Sequence, residues 1–84
     1  MITTSRYASS ETRDAAKNFS KTNLILYSSR GKKTISDLVL FARKKGESNI
    51  LILQENKNKP SNILVIEIDS LGNWKWKEKI NLLI

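Results

Sequence analysis

Residues 34–53, TISDLVLFARKKGESNILIL, decide the fold class. Thr34 and Asp37 stand three apart at the head of a periodic apolar segment. That is the spacing of a capping box, with Asp37 where Glu or Gln is usual. Ile35, Leu38, Val39 and Ala42 recur at helical spacing and predict one core-facing stripe. Arg43-Lys44-Lys45 follow, cations in a last turn that the helix macrodipole favours, and Gly46 supplies the stop. Ile50-Leu51-Ile52-Leu53 is then a buried-strand run. A capped amphipathic helix leading into such a strand predicts an α/β fold with helices packed on a sheet.

Toward the N-terminus, Ile2-Thr3-Thr4 is short and β-branched and predicts an opening strand. Ser9-Ser10-Glu11 signals a helix start, a hydroxyl N-cap followed by an acid in the first turn. That helix is expected to run to about Ser20, with Ala15, Ala16 and Phe19 as a narrow apolar stripe. Leu24-Ile25-Leu26-Tyr27 predicts a second strand, and residues 28–33, SSRGKK, a polar connection whose glycine can take positive φ.

Toward the C-terminus, Gln54 to Ser61 bounds the strand at 50–53 and contains Pro60. Asn62 to Asp69 predicts another strand, Leu71-Gly72-Asn73 a turn, and Trp74-Lys75-Trp76-Lys77 a strand by clean alternation. Leu82-Leu83-Ile84 is expected to form a last one. The expected order is β-α-β-α-β-β-β, a single small domain over residues 1–84 with a mixed β-sheet and two helices. Internal repeats and low-complexity tracts are absent from the sequence.

The 84 residues hold no cysteine and no histidine. Disulfides, thiolate metal cages and histidine-based acid–base or nucleophilic triads are therefore excluded. The acids are scattered singly. Glu67 and Asp69 are more simply the solvent face of a strand than a catalytic pair. The sequence predicts no enzyme, no cofactor, no metal and no small-molecule substrate. The longest apolar run, Leu38 to Ala42, is too short to cross a bilayer. Met1-Ile2-Thr3-Thr4 lacks the pattern of a secretory leader, so the expected compartment is the cytoplasm, without membrane association.

The net charge is +7, and its distribution is uneven. Residues 1–45 carry ten Lys or Arg against three acids, and residues 46–84 carry five lysines against five acids. The whole excess lies in the first half, the electrostatic footprint of a polyanion-binding surface.

Four groups of residues can carry such binding. Arg13, Lys17 and Lys21 follow at i, i+4 and i+8 on one helix face, with Arg6 in the loop before it. They form either a stripe along a phosphate backbone, helped by the helix N-terminus, or an ordinary solvated face. Ser29, Arg30, Gly31, Lys32 and Lys33 precede a capped helix and read as a phosphate cradle rather than a plain turn. Cations at a helix's positive end are mildly unfavourable and call for another reason to be there. Lys57 and Lys59 lie in a basic loop that is either a backbone contact or a turn. Trp74 and Trp76 share a strand face, read as core or partner packing before base stacking.

The same residues resemble a known family. Ile2-Thr3-Thr4-Ser5-Arg6, then Ser9 and Thr12-Arg13, look like the opening motif of the Brix domain family. Arg30-Gly31-Lys32 with Ile35 and Leu38 is similar to that family's second landmark. Residues 57–61 resemble its KGNPS loop, with Asn58 and Lys59 where the family has glycine and asparagine. The resemblance implies ribosomal RNA binding during ribosome assembly and a fold like the anticodon-binding domain of class II aminoacyl-tRNA synthetases. It also implies one of the two related α/β halves that such proteins usually carry. The Lys- and Ile-rich composition is compatible with an archaeal thermophile.

The expected function is ribosomal RNA binding through the basic half, with ribosomal proteins or assembly factors as further partners. The alternative is a protein-interaction module docking through its C-terminal strands.

Overall fold

A computed structural model describes residues 1–82. Its elements are β1 (Ile2–Thr4), α1 (Ser10–Asn23), α2 (Ile35–Lys44), β2 (Asn49–Asn56), β3 (Lys59–Ile68) and β4 (Trp74–Asn81). The strands form one mixed sheet in the order β1-β2-β3-β4. β1 runs parallel to β2, and the other two pairings are antiparallel. Parallel neighbours need a long crossover, and here it contains both helices, one delivered to each face.

Side-chain alternation explains that split. Ile50, Ile52, Ile66 and Ile68 point to one side and pack with Leu38, Val39 and Ala42 of α2. Leu53, Ile63 and Val65 point to the other side and pack with Ile2 and Ala16, with Ala15 and Phe19 of α1 against them. β2 and β3 are thus covered on both faces, which is why they read as unbroken apolar runs. Each fully buried Leu or Ile contributes roughly 1.5–3 kcal/mol, and Leu38, Ile50 and Ile66 are all completely buried.

The caps of α2 form as the sequence predicts. Thr34 accepts from the Asp37 N–H at 3.2 Å, and Asp37 accepts from the Thr34 N–H at 3.0 Å. At the other end Gly46 takes φ +72°, with Gly46 N–H to Arg43 C=O at 3.1 Å and Glu47 N–H to Ala42 C=O at 2.9 Å. That pair of bonds is a Schellman motif. Glu47 then reaches the N-terminal ammonium at 2.9 Å, tying the end of α2 to the start of β1.

Three expectations are corrected. Leu24–Tyr27 is not a strand, because Leu24 takes the left-handed conformation (φ +55°) that closes α1. The chain then returns along β1, which is three residues long, and only Tyr27 bridges to Ile2. The observed order is therefore β-α-α-β-β-β. Second, the strands extend into residues 54–61: β2 runs to Asn56 and β3 starts at Lys59, joined by a tight turn at Lys57 and Asn58, φ +53° and +63°, the type I′ pattern. Pro60 is tolerated inside β3 because it sits beside the irregularity where the β2–β3 register shifts. Third, β4 ends at Asn81, Leu82 follows it outside the strand, and residues 83–84 of the expected last strand lie outside the described residues.

Candidate nucleic-acid interface

β1, the segment before α2 and the first turn of α1 converge on an open depression of about 400 Å³. Its lining includes Arg13, Ser29, Arg30, Gly31 and Lys32, together with Ser5 and Tyr7. Two stretches far apart in sequence, each predicted to contact phosphate, thus meet at one place. They meet because Tyr27 bridges to Ile2, with Ser28 N–H donating to the Ile2 carbonyl at 3.0 Å. The bridge lays residues 28–32 beside the end of β1.

The cations around this depression have different commitments. Arg30 is buried, its Nη1–H donating to the Thr4 carbonyl at 3.0 Å and its Nε–H to the Lys33 carbonyl at 2.8 Å. Burial, and then the nearby Arg6 guanidinium, lower its pKa from the ordinary arginine value, although a guanidinium stays protonated in proteins. Arg6 is exposed and donates to the Lys32 carbonyl at 3.2 Å and the Lys33 carbonyl at 3.5 Å. The Lys33 ammonium folds back on the Ser29 carbonyl at 2.9 Å and lies 5.7 Å from the Phe41 ring centre. These three cations knit the 28–33 segment to itself and to β1. Arg13, Gly31 and Lys32 are exposed at the depression's rim.

The other basic residues stand outside it. Lys17 lies 6.0 Å from the ring centre of Tyr27, one helical turn beyond Arg13. Lys21 is exposed a turn further on, and Lys57 and Lys59 are exposed at the β2–β3 turn. The structure thus brings Arg13, Ser29, Arg30, Gly31 and Lys32 together, with Arg6 and Lys33 bonded behind them.

Both helix N-termini already hold a carboxylate. The Thr12 hydroxyl donates to Glu55 at 2.6 Å, and the Ser9 N–H and hydroxyl donate to the same oxygen at 3.0 and 2.9 Å. These donors, Thr12 first, hold the Glu55 carboxyl below its ordinary range. An external phosphate would have to displace Glu55 to use the start of α1. At α2 the Thr34 backbone and side chain lower the Asp37 pKa, with smaller help from Arg6 and Lys33. The clustered cations at this positive helix end are therefore partly explained by an internal acid and by loop carbonyls.

Sequence reasoning missed Tyr7. The residue is 78% exposed on the rim, and its backbone is left-handed at φ +56°. Bulky residues rarely adopt that conformation, and such outliers cluster at functional sites. The available signal was an aromatic residue between Arg6 and Ser9 with no apolar periodicity to bury it. Trp74 and Trp76 are not core, being 38% and 50% exposed on β4, which neither helix covers. Among the described residues no cluster of acids is placed to hold a metal, and no helix is long and apolar enough to cross a membrane.

No protein-family model and no curated protein matches the sequence. Solved structures do. A crystal structure described as an archaeal Imp4-like protein superposes with a TM-score of 0.72 at 27% identity, covering 87% of this chain and 45% of its own. A probable ribosomal biogenesis protein from Aeropyrum pernix K1 superposes with a TM-score of 0.85 at 24% identity, covering 93% of this chain and 44% of its own. The chain spans a little under half the length of either. The chain thus shares the fold of these proteins, a likeness that supports its resemblance to the Brix family, and its ITTSR and RGK stretches form two walls of one depression.

Proposed function

We propose that this chain binds ribosomal RNA during ribosome assembly, as one Brix-like half-domain over residues 1–84, holding phosphates in the depression between β1 and the 28–33 segment. The observation that carries the reading is the meeting of Arg13 and Lys32 on one rim, backed by a guanidinium framework. Arg30, Arg6 and Lys33 shape the wall, Ser29 and Gly31 let a backbone approach, and Arg13 and Lys32 meet the phosphates. Lys17 and Lys21 extend the positive track along α1, and Lys57 and Lys59 offer outlying contacts near its start. Phosphate contacts of this kind set affinity and register rather than sequence choice.

The Aeropyrum relative, described as a probable ribosomal biogenesis protein, supports the assembly setting. In that setting the chain works in the cytoplasm by binding rather than catalysis, without a cofactor. Ribosomal proteins or assembly factors are its further partners. The rival, a protein-interaction module, draws on β4, whose eight residues are all exposed.

Filter binding to ribosomal RNA fragments across a salt series tests the proposal. The logarithm of affinity should fall linearly with the logarithm of salt. Arg13→Glu with Lys32→Glu should weaken binding at every salt. Salt-independent binding, or full affinity in that double variant, would refute the assignment and leave the interaction module.

A further inference from the structure

On the α2 side of the sheet lies a second depression, of about 200 Å³. Ile52 and Leu64 line it together with Arg6, Arg30, Gln54 and Trp76. Ser5 and Arg30 line both depressions, so the two stand back to back across one wall. Trp74 meets the Trp76 ring edge-to-face, with centroids 5.5 Å apart and planes at 88°, which fixes its orientation. Gln54 accepts from the Asn62 amide at 2.7 Å, and its own amide donors have no partner among the described residues.

A bulge in β4 sets the charge of this face. Trp76 pairs with Ile66 and Glu78 with Val65, so Lys77 is the extra residue. Beyond it the strand's alternation is inverted. Lys79 and Asn81, opposite Leu64 and Asn62, join the tryptophan side, while Glu78 and Ile80 go to the α1 side. An unbulged strand would have put Glu78 next to Trp76. The strand residues on the tryptophan side therefore include a lysine and no carboxylate, facing Arg6 and Arg30.

We infer that this slot takes the base of an unpaired ribonucleotide, stacked on Trp76, with an adjoining phosphate on Arg6 and the Gln54 amide donating to the base edge. The inference rests on reading the neighbouring depression as an RNA site. Every base has a π face, so stacking on a fixed indole is tolerant of sequence. In a duplex those faces are turned into the stack, so the slot selects unpaired strand. The slot's lining includes two guanidiniums, Arg6 and Arg30, and no carboxylate, so an apolar protein surface would desolvate both, which argues for an anionic occupant.

A fluorescence titration tests this with the Trp74→Phe protein, whose emission comes from Trp76 alone. The probes are single-stranded oligouridylate and an RNA hairpin of equal nucleotide count. Saturable quenching by the single strand and none by the hairpin stem is expected. In filter binding, Trp76→Ala should weaken single-strand affinity by on the order of tenfold, Trp76→Phe by much less, and hairpin affinity should be unchanged. Absence of quenching would overturn the slot without relying on the alanine variant. Full single-strand affinity in Trp76→Ala alongside weakened binding in Lys32→Glu would overturn the slot and leave the phosphate reading standing. Full affinity in both would remove the RNA reading itself. Loss of self-association in Trp76→Ala, with RNA binding intact, would show the face to be a protein contact and overturn the slot.

Discussion

One carboxylate oxygen of Glu55, on β2, accepts both the backbone N–H of Ser9 at 3.0 Å and the Ser9 hydroxyl at 2.9 Å. The same serine hydroxyl lies 2.9 Å from the Asn58 carbonyl. The β2–β3 hairpin is thereby fastened to the first turn of α1 across a sequence gap of more than forty residues.

Acid should release that fastening. The Thr12 and Ser9 donors depress the Glu55 pKa in the folded state. The ionised group therefore stabilises the fold above its unfolded pKa, about 4.3, and the contribution is lost as pH falls through the depressed value. Glu55→Gln should melt lower than the parent at neutral pH. The two melting curves should converge as acid is added, which thermal unfolding at several pH values measures.

Arg30 should matter more to folding than its position in an exposed basic stretch suggests. Arg30→Met strands the Thr4 carbonyl and leaves the Lys33 carbonyl with only the 3.5 Å bond from Arg6. A bond from a charged donor is worth about 1.5–3 kcal/mol, so with the Thr4 bond lost outright and the Lys33 carbonyl still reached by Arg6, urea unfolding should show a loss of roughly 2–4 kcal/mol. Arg30→Lys should recover only part of it, because one ammonium cannot reproduce the fork.

Lys32 and Lys33 are adjacent and should behave differently. Lys33 is tied to the Ser29 carbonyl, whereas Lys32 is exposed on the rim. Lys32→Ala should flatten the salt dependence of single-strand RNA binding by about 0.7 in log–log slope, one phosphate contact. Lys33→Ala should leave that slope unchanged and lower the melting temperature instead.

Asn58→Gly should stabilise the protein. Asn58 is the second residue of the type I′ turn at φ +63°, and glycine is the preferred residue there. A gain of about 0.5 kcal/mol is expected, visible as a rise of a few degrees in a thermal melt.

Thr3→Val should also stabilise. The Thr3 hydroxyl is fully buried and has no hydrogen-bond partner among the described residues. Replacing it with a methyl removes the desolvation cost of an unpaired polar group, about 1 kcal/mol or more. Unchanged stability in urea would mean the hydroxyl is satisfied by solvent.

Local chemistry made much of the fold legible. Thr34, Asp37 and Gly46 announce α2 because every bond in its caps lies within four residues or so. The run at Leu24–Tyr27 misled for the opposite reason. Its β propensity was genuine, but Leu24 was claimed by the helix cap and the rest had only a three-residue partner. In the site, grouping Arg30 with Lys32 followed from charge. That Arg30 would be buried depends on a Thr4 carbonyl 26 residues away, and that the start of α1 would hold Glu55 depends on a contact 43 residues away. Neither leaves a mark on local composition. The bulge at Lys77 was equally invisible, since Trp74 to Lys77 alternate perfectly up to the place where the register shifts.

That bulge has one more effect, on how copies of the molecule meet. β4 is the outer strand of the sheet, and its free margin invites another strand to pair there. Without the extra residue, Trp74, Trp76, Glu78 and Ile80 would share one side of that margin. With it, Glu78 and Ile80 pass to the opposite side, and lysines at 75, 77 and 79 punctuate the border. Like molecules repel one another along this line at the very place where a negatively charged guest is drawn in.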